Sequence, residues 1–131
     1  MNGKPETVPV SRDLAGPALR AFFQITRRWG LTTEEERRLL GNPGRSTYFR
    51  WKREQAGPVP RDVLERISYL LGIYKALHIL LPSDSQADGW VNRPNAAPLF
   101  GGGTALERML AGQVADLFVV RQYLDAQRGW S

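Results

Sequence analysis

Residues 31–53 have the sequence LTTEEERRLLGNPGRSTYFRWKR, and this stretch predicts two helices joined by a tight turn. The first helix begins after Thr32 or Thr33, because either threonine can form a capping box with the glutamate three residues later. Residues 41–44, GNPG, are typical of a turn. A second helix follows over residues 45–54 and ends before a Gly-Pro pair. Two helices with this spacing indicate a helix-turn-helix.

Helical patterns continue on both sides of this motif. Upstream, residues 17–29 place apolar side chains on one stripe and are followed by a glycine that can end the helix. Downstream, a long helix is predicted over residues 61–81, and its second half is apolar enough to form the spine of a core. Shorter helices are predicted over residues 86–91, 105–111 and 114–127, and no strand alternation persists anywhere.

These patterns predict an all-α fold. A helix-turn-helix bundle over residues 17–81 is joined by the long helix to a small C-terminal helical domain over residues 82–131, and residues 1–16 form a flexible N-terminal tail. A chain of 131 residues can bury enough apolar surface to fold without a disulfide or a metal.

The excess positive charge is confined to one segment. The chain has a net charge of +5, and residues 20–66 contain eleven lysines or arginines against six acids, so the remaining residues are neutral overall. Clustered positive charge attracts polyanions, and nucleic acid above all. The alternative is that these arginines are only the solvated faces of helices.

The second helix of the motif has the side chains that a DNA-recognition helix needs. Small hydroxyl residues in its first turn can enter the major groove, and an arginine one turn later can reach a guanine edge or a phosphate. The candidate DNA-binding residues are Arg45, Ser46, Thr47, Arg50, Lys52 and Arg53. The competing interpretation is a structural or dimerising remnant of a helix-turn-helix that does not contact DNA.

The C-terminal part carries a more distinctive series of motifs. It contains GWVNRPN at residues 89–95, LFGGG at 99–103, LERMLAG at 106–112 and VVRQYL at 119–124. Over residues 86–129 this series resembles the toxin-binding domain of the MbcA–ParS–Xre antitoxins, and of ParS-like members in particular. The upstream motif resembles the Xre-like helix-turn-helix half of the same family. One departure is Ala105, because the family commonly has a proline at that place.

The resemblance implies that the chain is the antitoxin of a bacterial type II toxin–antitoxin system. Its partner would be a RES-domain toxin that uses NAD, either degrading it or transferring its ADP-ribose to a protein. The antitoxin would cover the toxin and keep NAD out of the active-site cleft, so that ADP-ribosylation or NAD breakdown is inhibited. It would also repress its own operon where the helix-turn-helix binds operator DNA.

The resemblance and the chemistry of interface anchors together indicate a set of toxin-binding residues. Aromatic and arginine side chains anchor interfaces most often, and a tryptophan near the end of a chain has few neighbours of its own. The candidates are Trp90, Asn92, Arg93, Asn95, Phe100, Met109, Arg121, Arg128, Trp130 and Ser131. For Trp90, Asn95, Phe100 and Met109 the pattern favours the structural alternatives of core packing or turn capping.

No catalytic, metal or cofactor site is predicted, so the chain is not expected to be an enzyme. It has no cysteine, and its single histidine, His78, lies in an apolar helical stretch. The glycines at 101–103 precede a helix but lack the lysine and the hydroxyl residue of a P-loop. The longest apolar stretch is too short to span a membrane and no targeting segment is visible, so a cytoplasmic protein is expected.

The expected assembly is a homodimer or a toxin–antitoxin hetero-oligomer, with no membrane partner. The alternative function, from another class, is a stand-alone helix-turn-helix transcriptional regulator whose C-terminal domain dimerises. The two functions differ in one respect, because deletion of residues 128–131 would abolish toxin neutralisation only in an antitoxin.

Overall fold

The computed structural model describes residues 12–129, and the regular structure in that range is helical. In chain order the helices are α1 (Arg12–Arg28), α2 (Thr33–Leu39), α3 (Arg45–Glu54), α4 (Arg61–Leu80), α5 (Asp84–Gly89), α6 (Ala105–Met109) and α7 (Val114–Gly129), with a 3₁₀ turn at Trp90–Asn92. The only extended pairing in these residues is an isolated bridge between Pro94 and Thr104. The predicted all-α fold is confirmed. No helix within residues 12–129 is long and apolar enough to cross a membrane.

Helix α1 begins at Arg12 rather than at Pro17, which lies within the helix. Residues 12–16 of the predicted N-terminal tail are therefore helical, and residues 1–11 lie outside the described part of the chain. The proline ring costs one backbone hydrogen bond but holds φ at a helical value, so the helix continues through it. The apolar stripe of α1 is buried as predicted, with Phe22 fully enclosed in the core.

The corner between α2 and α3 is held by local hydrogen bonds. The Thr32 hydroxyl accepts a hydrogen bond from the Glu35 N–H at 3.2 Å, and the Glu35 carboxylate accepts one from the Thr32 N–H at 2.9 Å. Of the two predicted alternatives, Thr32 is therefore the N-cap. Asn42 reverses the chain with a φ of 61°. The Arg37 guanidinium donates two hydrogen bonds, of 3.2 and 3.0 Å, to the Pro43 carbonyl and so fixes the turn.

Helix α4 is the spine of the core, and its buried side chains include Ile67, Leu70 and Leu77. Helix α7 packs along one side of it. The helix continues through Gly72. A Cβ at Gly72 would lie 2.5 Å from Nε of Arg121, so the glycine lets an arginine of α7 cross close to the backbone of α4.

Two arginines of the helix-turn-helix part hold the turn between α6 and α7. Arg66 of α4 donates a hydrogen bond to the Gly112 carbonyl at 3.0 Å, and Arg38 of α2 donates one to the Leu110 carbonyl at 3.4 Å. Gly41, with a φ of 91°, leaves room for the Arg66 side chain, which a Cβ there would meet at 2.9 Å. The buried apolar residues of both halves form one continuous core.

Candidate functional site

The outer face of α3 carries the residues that the sequence predicts for DNA binding. Tyr48 and Trp51 are buried and anchor the helix on the core, and the Tyr48 ring meets the Phe23 ring of α1 edge-on at 6.0 Å. The other side of the helix is open to solvent. Arg45, Ser46, Arg50, Lys52 and Arg53 are exposed, and Thr47 is half-buried at the edge of that face.

Acidic residues partly neutralise this face. The Arg45 guanidinium pairs with Glu34 at 2.5 Å and also lies over the exposed Phe49 ring, 5.4 Å from its centroid. The hydrogen bond from Arg45 lowers the pKa of the Glu34 carboxyl, although burial by itself would raise it. Arg53 pairs with the adjacent Glu54 at 3.2 Å. In the described part of the chain, the exposed Arg50 of this face forms no ion pair with an acid.

Lys52 belongs to a polar cluster centred on the carboxylate of Glu36, which is only 4% exposed. Glu36 accepts a hydrogen bond from Thr26 Oγ1 at 2.6 Å and another from Lys52 Nζ at 2.9 Å. It also accepts a hydrogen bond from the buried Tyr48 hydroxyl. Glu36 is the glutamate three residues after Thr33, the capping alternative that does not form, and its carboxylate instead joins α1, α2 and α3.

Both titratable partners of Glu36 have shifted pKa values. Burial, followed by the hydrogen bond to the Glu36 carboxylate, raises the pKa of Tyr48. Burial by itself would lower the pKa of Lys52, but the hydrogen bonds to Glu36 and Tyr48 and the charge of Glu36 together raise it. Lys52 is therefore held as a cation inside the fold's own cluster, which reduces its freedom to meet a phosphate.

A cluster of three aromatic rings lies in the C-terminal half. The Trp90 ring meets the Phe100 ring edge-on at 5.8 Å and lies parallel to the Tyr123 ring at 6.5 Å. Phe100 and Tyr123 close the cluster with an edge contact at 5.4 Å. Phe100 is buried, whereas Trp90 and Tyr123 are half-buried and present part of their rings to solvent. The sequence indicates Trp90 and Phe100 as candidates but does not indicate that Tyr123 joins them.

The polar candidates around this cluster are bonded to the backbone. The Asn92 amide donates to the Trp29 carbonyl at 3.1 Å, which ties the 3₁₀ turn to the end of α1. The Arg93 guanidinium donates to the Gln86 carbonyl at 2.7 Å. The Asn95 side chain accepts a hydrogen bond from the Ala97 N–H at 2.9 Å, which is the turn-capping role that the sequence favours. These side chains hold the loop that supports the aromatic cluster.

The remaining candidates are distributed between the core, α7 and the end of the chain. Met109 is 1% exposed and lies beneath the surface, in accordance with its structural alternative. Arg121 is directed across α4 and pairs with Asp125 at 3.4 Å. Arg128 lies 3.9 Å from the other oxygen of that carboxylate. Trp130 and Ser131 lie outside the described residues.

His78 lies between two carboxylates. Its Nδ1 is 3.1 Å from Asp84 and its Nε2 is 3.0 Å from Asp88. The Tyr74 ring packs against the imidazole with a centroid distance of 4.2 Å, and Arg28 reaches Asp88 at 3.7 Å. These contacts join α1, α4 and α5. Within residues 12–129 no group of His, Asp and Glu side chains is arranged to hold a metal ion.

The geometry thus presents two candidate surfaces, a basic one on α3 and an aromatic one formed by the 3₁₀ turn, the loop after it and α7. Residues 8–72 match the family described as the antitoxin Xre-like helix-turn-helix domain. Residues 76–129 match the family described as the antitoxin Xre/MbcA/ParS C-terminal toxin-binding domain. The chain is also similar to the uncharacterized protein y4oB of Sinorhizobium fredii (strain NBRC 101917 / NGR234), with 50% identity over 122 residues that cover 92% of each chain.

Proposed function

Because the chain belongs to the Xre/MbcA/ParS family of antitoxins, we propose that it neutralises a RES-fold toxin by covering the cleft in which that toxin binds NAD. The toxin would degrade NAD or transfer its ADP-ribose to a protein, and both reactions require NAD to enter the cleft. The antitoxin acts in the cytoplasm by binding and exclusion, and it carries out no chemistry of its own. The RES identity of the toxin rests on the resemblance of residues 86–129.

The aromatic cluster is the observation that carries this proposal. Trp90 and Tyr123 expose part of their rings while Phe100 holds both of them from beneath. A half-exposed aromatic surface fixed by packing loses little conformational entropy on binding, which is the property of an interface anchor. The neighbouring Arg93 is exposed and adds a cation to the same region. The cluster lies within the part of the chain that matches the toxin-binding domain.

The residues that enter the cleft would be those at the end of α7. Helix α7 carries Tyr123 of the aromatic cluster and continues to Gly129, so that Arg128 lies in its last turn. Arg128 is a cation that can meet the phosphates or acidic groups of a nucleotide cleft, and Trp130 would supply apolar contact. In this arrangement the cluster provides affinity and the last four residues provide occlusion.

The test is NAD consumption by the RES-type protein encoded beside this gene, with and without this chain at equal concentration. We expect the chain to inhibit the toxin, the deletion of residues 128–131 to abolish inhibition, and Tyr123→Ala to weaken binding by roughly tenfold or more. Tyr69→Ala is the matched control, because Tyr69 is a half-buried tyrosine that lies on α4, outside the cluster.

Two results would change the proposal. If the chain still inhibits the toxin after the deletion but Tyr123→Ala still binds it more weakly, the occluding surface would be the aromatic cluster itself. An absence of both inhibition and co-purification would contradict RES-toxin binding and favour the regulator that acts through DNA alone.

A second function, autorepression of the operon, is supported by the exposed face of α3. Arg50 and Ser46 lie one turn apart on the solvent side of a helix whose inner side is anchored in the core. Arg50 is the arginine of this face with no acidic partner in the described residues, so it is the candidate for contact with a base or phosphate. Lys52, held by Glu36, contributes less.

Operator binding is tested by measuring DNA affinity against salt concentration. If about four to six phosphates are contacted, the plot of log affinity against log salt should have a slope of roughly −4 to −5. Arg50→Ala should lower affinity by more than Lys52→Ala does. A DNA affinity that does not change with salt concentration would contradict the proposal of operator binding. The toxin assay tests a separate proposal and does not depend on this result.

A further inference from the structure

The Phe49 ring lies on the outer face of α3 and is 40% exposed to solvent. Residues four apart on a helix lie on the same side, so Arg45 lies one turn before Phe49 and Arg53 one turn after it. Ser46 and Arg50 lie beside this row and are also exposed. The ring is therefore placed among the candidate DNA-binding side chains, although it has no charge and no hydrogen-bonding group of its own.

The surroundings of Phe49 differ from those of other exposed apolar side chains. Single apolar residues at a protein surface are common, so exposure alone does not indicate a role. Leu14 lies in an apolar groove between α1 and α4, and Phe118 contacts the Tyr69 ring. The surface around Phe49 consists instead of arginines, so a partner that contacts the ring also meets a cationic face. A polyanion is the partner that such a face attracts.

Two neighbouring side chains hold the ring in place. The buried Tyr48 meets Phe49 edge-on, with the ring centroids 4.9 Å apart. The Arg45 guanidinium lies over the Phe49 ring, 5.4 Å from its centroid, and is itself paired with Glu34. A ring that is fixed before binding loses little conformational entropy when it contacts a partner.

We propose that Phe49 recognises thymine in the major groove through the methyl group on C5 of the base. This inference rests on the proposed operator binding and assigns part of its sequence specificity to one residue. The thymine methyl is the apolar group that base pairs display in the major groove, whereas the other groups there donate or accept hydrogen bonds. A phenyl ring gains apolar contact from the methyl group, but it desolvates polar groups without replacing their hydrogen bonds when another base takes that place.

Phe49 and Arg50 are complementary as readers of base edges. Arg50 can donate two hydrogen bonds to a guanine, whereas the adjacent Phe49 can contact only an apolar group. Contacts of Arg45 or Arg53 with phosphates would fix the position of the helix without carrying sequence information. The operator should therefore have a thymine close to the base that Arg50 contacts.

Replacement of thymine by uracil tests the inference, because the two bases differ only in the C5 methyl group. The duplex upstream of the start codon of this gene is amplified with deoxythymidine or with deoxyuridine triphosphate. Its affinity for the full chain is then measured by fluorescence anisotropy at one fixed salt concentration. We expect uracil to weaken binding by roughly three- to fourfold for each methyl group that the ring contacts.

Phe49→Ala provides the second half of a double-mutant cycle. It should weaken binding of the thymine duplex by a similar factor, and its ratio of affinities for the two duplexes should fall towards one. Any effect of uracil on the stiffness of the duplex remains in this variant and is thereby subtracted. Phe49→Leu keeps an apolar side chain and should retain part of the preference for thymine, and circular dichroism checks that both variants are folded.

Phe118→Ala is the matched control. Phe118 is a 44% exposed phenylalanine that a tyrosine also meets edge-on, at 5.7 Å, but it lies on α7. Its replacement should leave the affinities for both duplexes unchanged.

Three results would overturn the inference. An equal preference for thymine in the unaltered chain and in Phe49→Ala would do so while leaving operator binding in place. Binding of neither duplex by the unaltered chain would contradict operator binding itself, and the inference with it. If Phe49→Ala keeps its affinity for both duplexes but binds the toxin more weakly, the ring would be a protein contact instead.

Discussion

Replacement of the buried Glu36 is the perturbation whose effect the structure defines most closely. The carboxylate is 4% exposed and receives hydrogen bonds from Thr26 on α1 and from Tyr48 and Lys52 on α3. Glu36→Gln keeps the shape of the side chain and removes the charge. The N–H group of the Gln amide can donate to the Thr26 hydroxyl oxygen. The Thr26 hydroxyl can in turn donate its hydrogen to the Phe23 carbonyl, which already lies 3.3 Å away.

The two replacements should have clearly different costs. A hydrogen bond to a charged group contributes about 1.5–3 kcal/mol and a neutral one about 0.5–1.5 kcal/mol, so Glu36→Gln should lower the free energy of unfolding by about 1–2 kcal/mol. The lower end applies to the Lys52 bond, since that side chain is 45% exposed and water screens the pair. Glu36→Ala leaves the Tyr48 hydroxyl buried without its acceptor and should cost about 3–4 kcal/mol.

Urea unfolding followed by circular dichroism measures both values, with Glu34→Gln as the control. Glu34 lies on the same helix but its side chain is 63% exposed, so water screens its ion pairs with Arg37 and Arg45 and their loss should change stability little. The reasoning is refuted if Glu36→Ala costs under about 1 kcal/mol, or if it costs no more than Glu34→Gln. Either result would mean that the carboxylate does not hold α1, α2 and α3 together.

Three further predictions concern the fold and its pH dependence. Gly72→Ala should stabilise the chain by about 1 kcal/mol only when Arg121→Ala is also present, because the new Cβ would otherwise displace the guanidinium that crosses α4; equal thermal shifts in both backgrounds would contradict this. Thr104→Ala should lower the free energy of unfolding by about 1 kcal/mol through loss of the α6 capping box, and a loss below about 0.3 kcal/mol in urea titrations would refute that role. The pKa values of Tyr48 and Lys52 are raised above their ordinary values of 10.0 and 10.5, so the stability that their protonated forms contribute should be fully present below about pH 10 and should be lost as the pH rises above it. A free energy of unfolding that stays level up to about pH 11.5 would be inconsistent with this.

The two halves of the molecule are joined more closely than the domain boundaries in the sequence indicate. Arg38 and Arg66 of the helix-turn-helix part hold the Leu110 and Gly112 carbonyls of the C-terminal part. No motif identifies these contacts, because each connects residues far apart in the chain. An arginine at a helical position that the sequence predicts to be exposed has the same local pattern whether it is solvated or donates a hydrogen bond to a distant carbonyl.

Features that depend on neighbours a few residues apart were predicted well. A capping box at Thr32 or Thr33 was predicted and Thr32 forms it, because a cap needs only a hydroxyl and a glutamate three residues later. Thr104 and Glu107 form a second box of the same kind. The helix-turn-helix corner follows from the same kind of local rule. The start of α1 was misplaced, because a proline is typical of a helix start and Pro17 lies inside the helix instead.

The candidate sites were predicted less completely. The sequence indicates the basic residues of α3 but not that Glu34, Glu36 and Glu54 partly neutralise three of them. It indicates Trp90 and Phe100 but not their contact with Tyr123, which lies on a helix two elements later. Net charge and composition are totals over all side chains, and they do not indicate which side chains are in contact.

The sequence by itself determined the helical class of the chain, the order of its helices, the turn at residues 41–44 and its family, since each of these follows from short-range spacing or from motifs. Only the tertiary structure decided which charges are paired, which aromatic rings meet, which ring stays exposed on α3 and why Gly72 is a glycine. The physical reason is the separation along the chain over which each interaction acts, because capping and helix propensity depend only on residues within one or two helical turns. Ion pairing, ring contact and close approach act between atoms a few ångströms apart, whatever their separation along the chain.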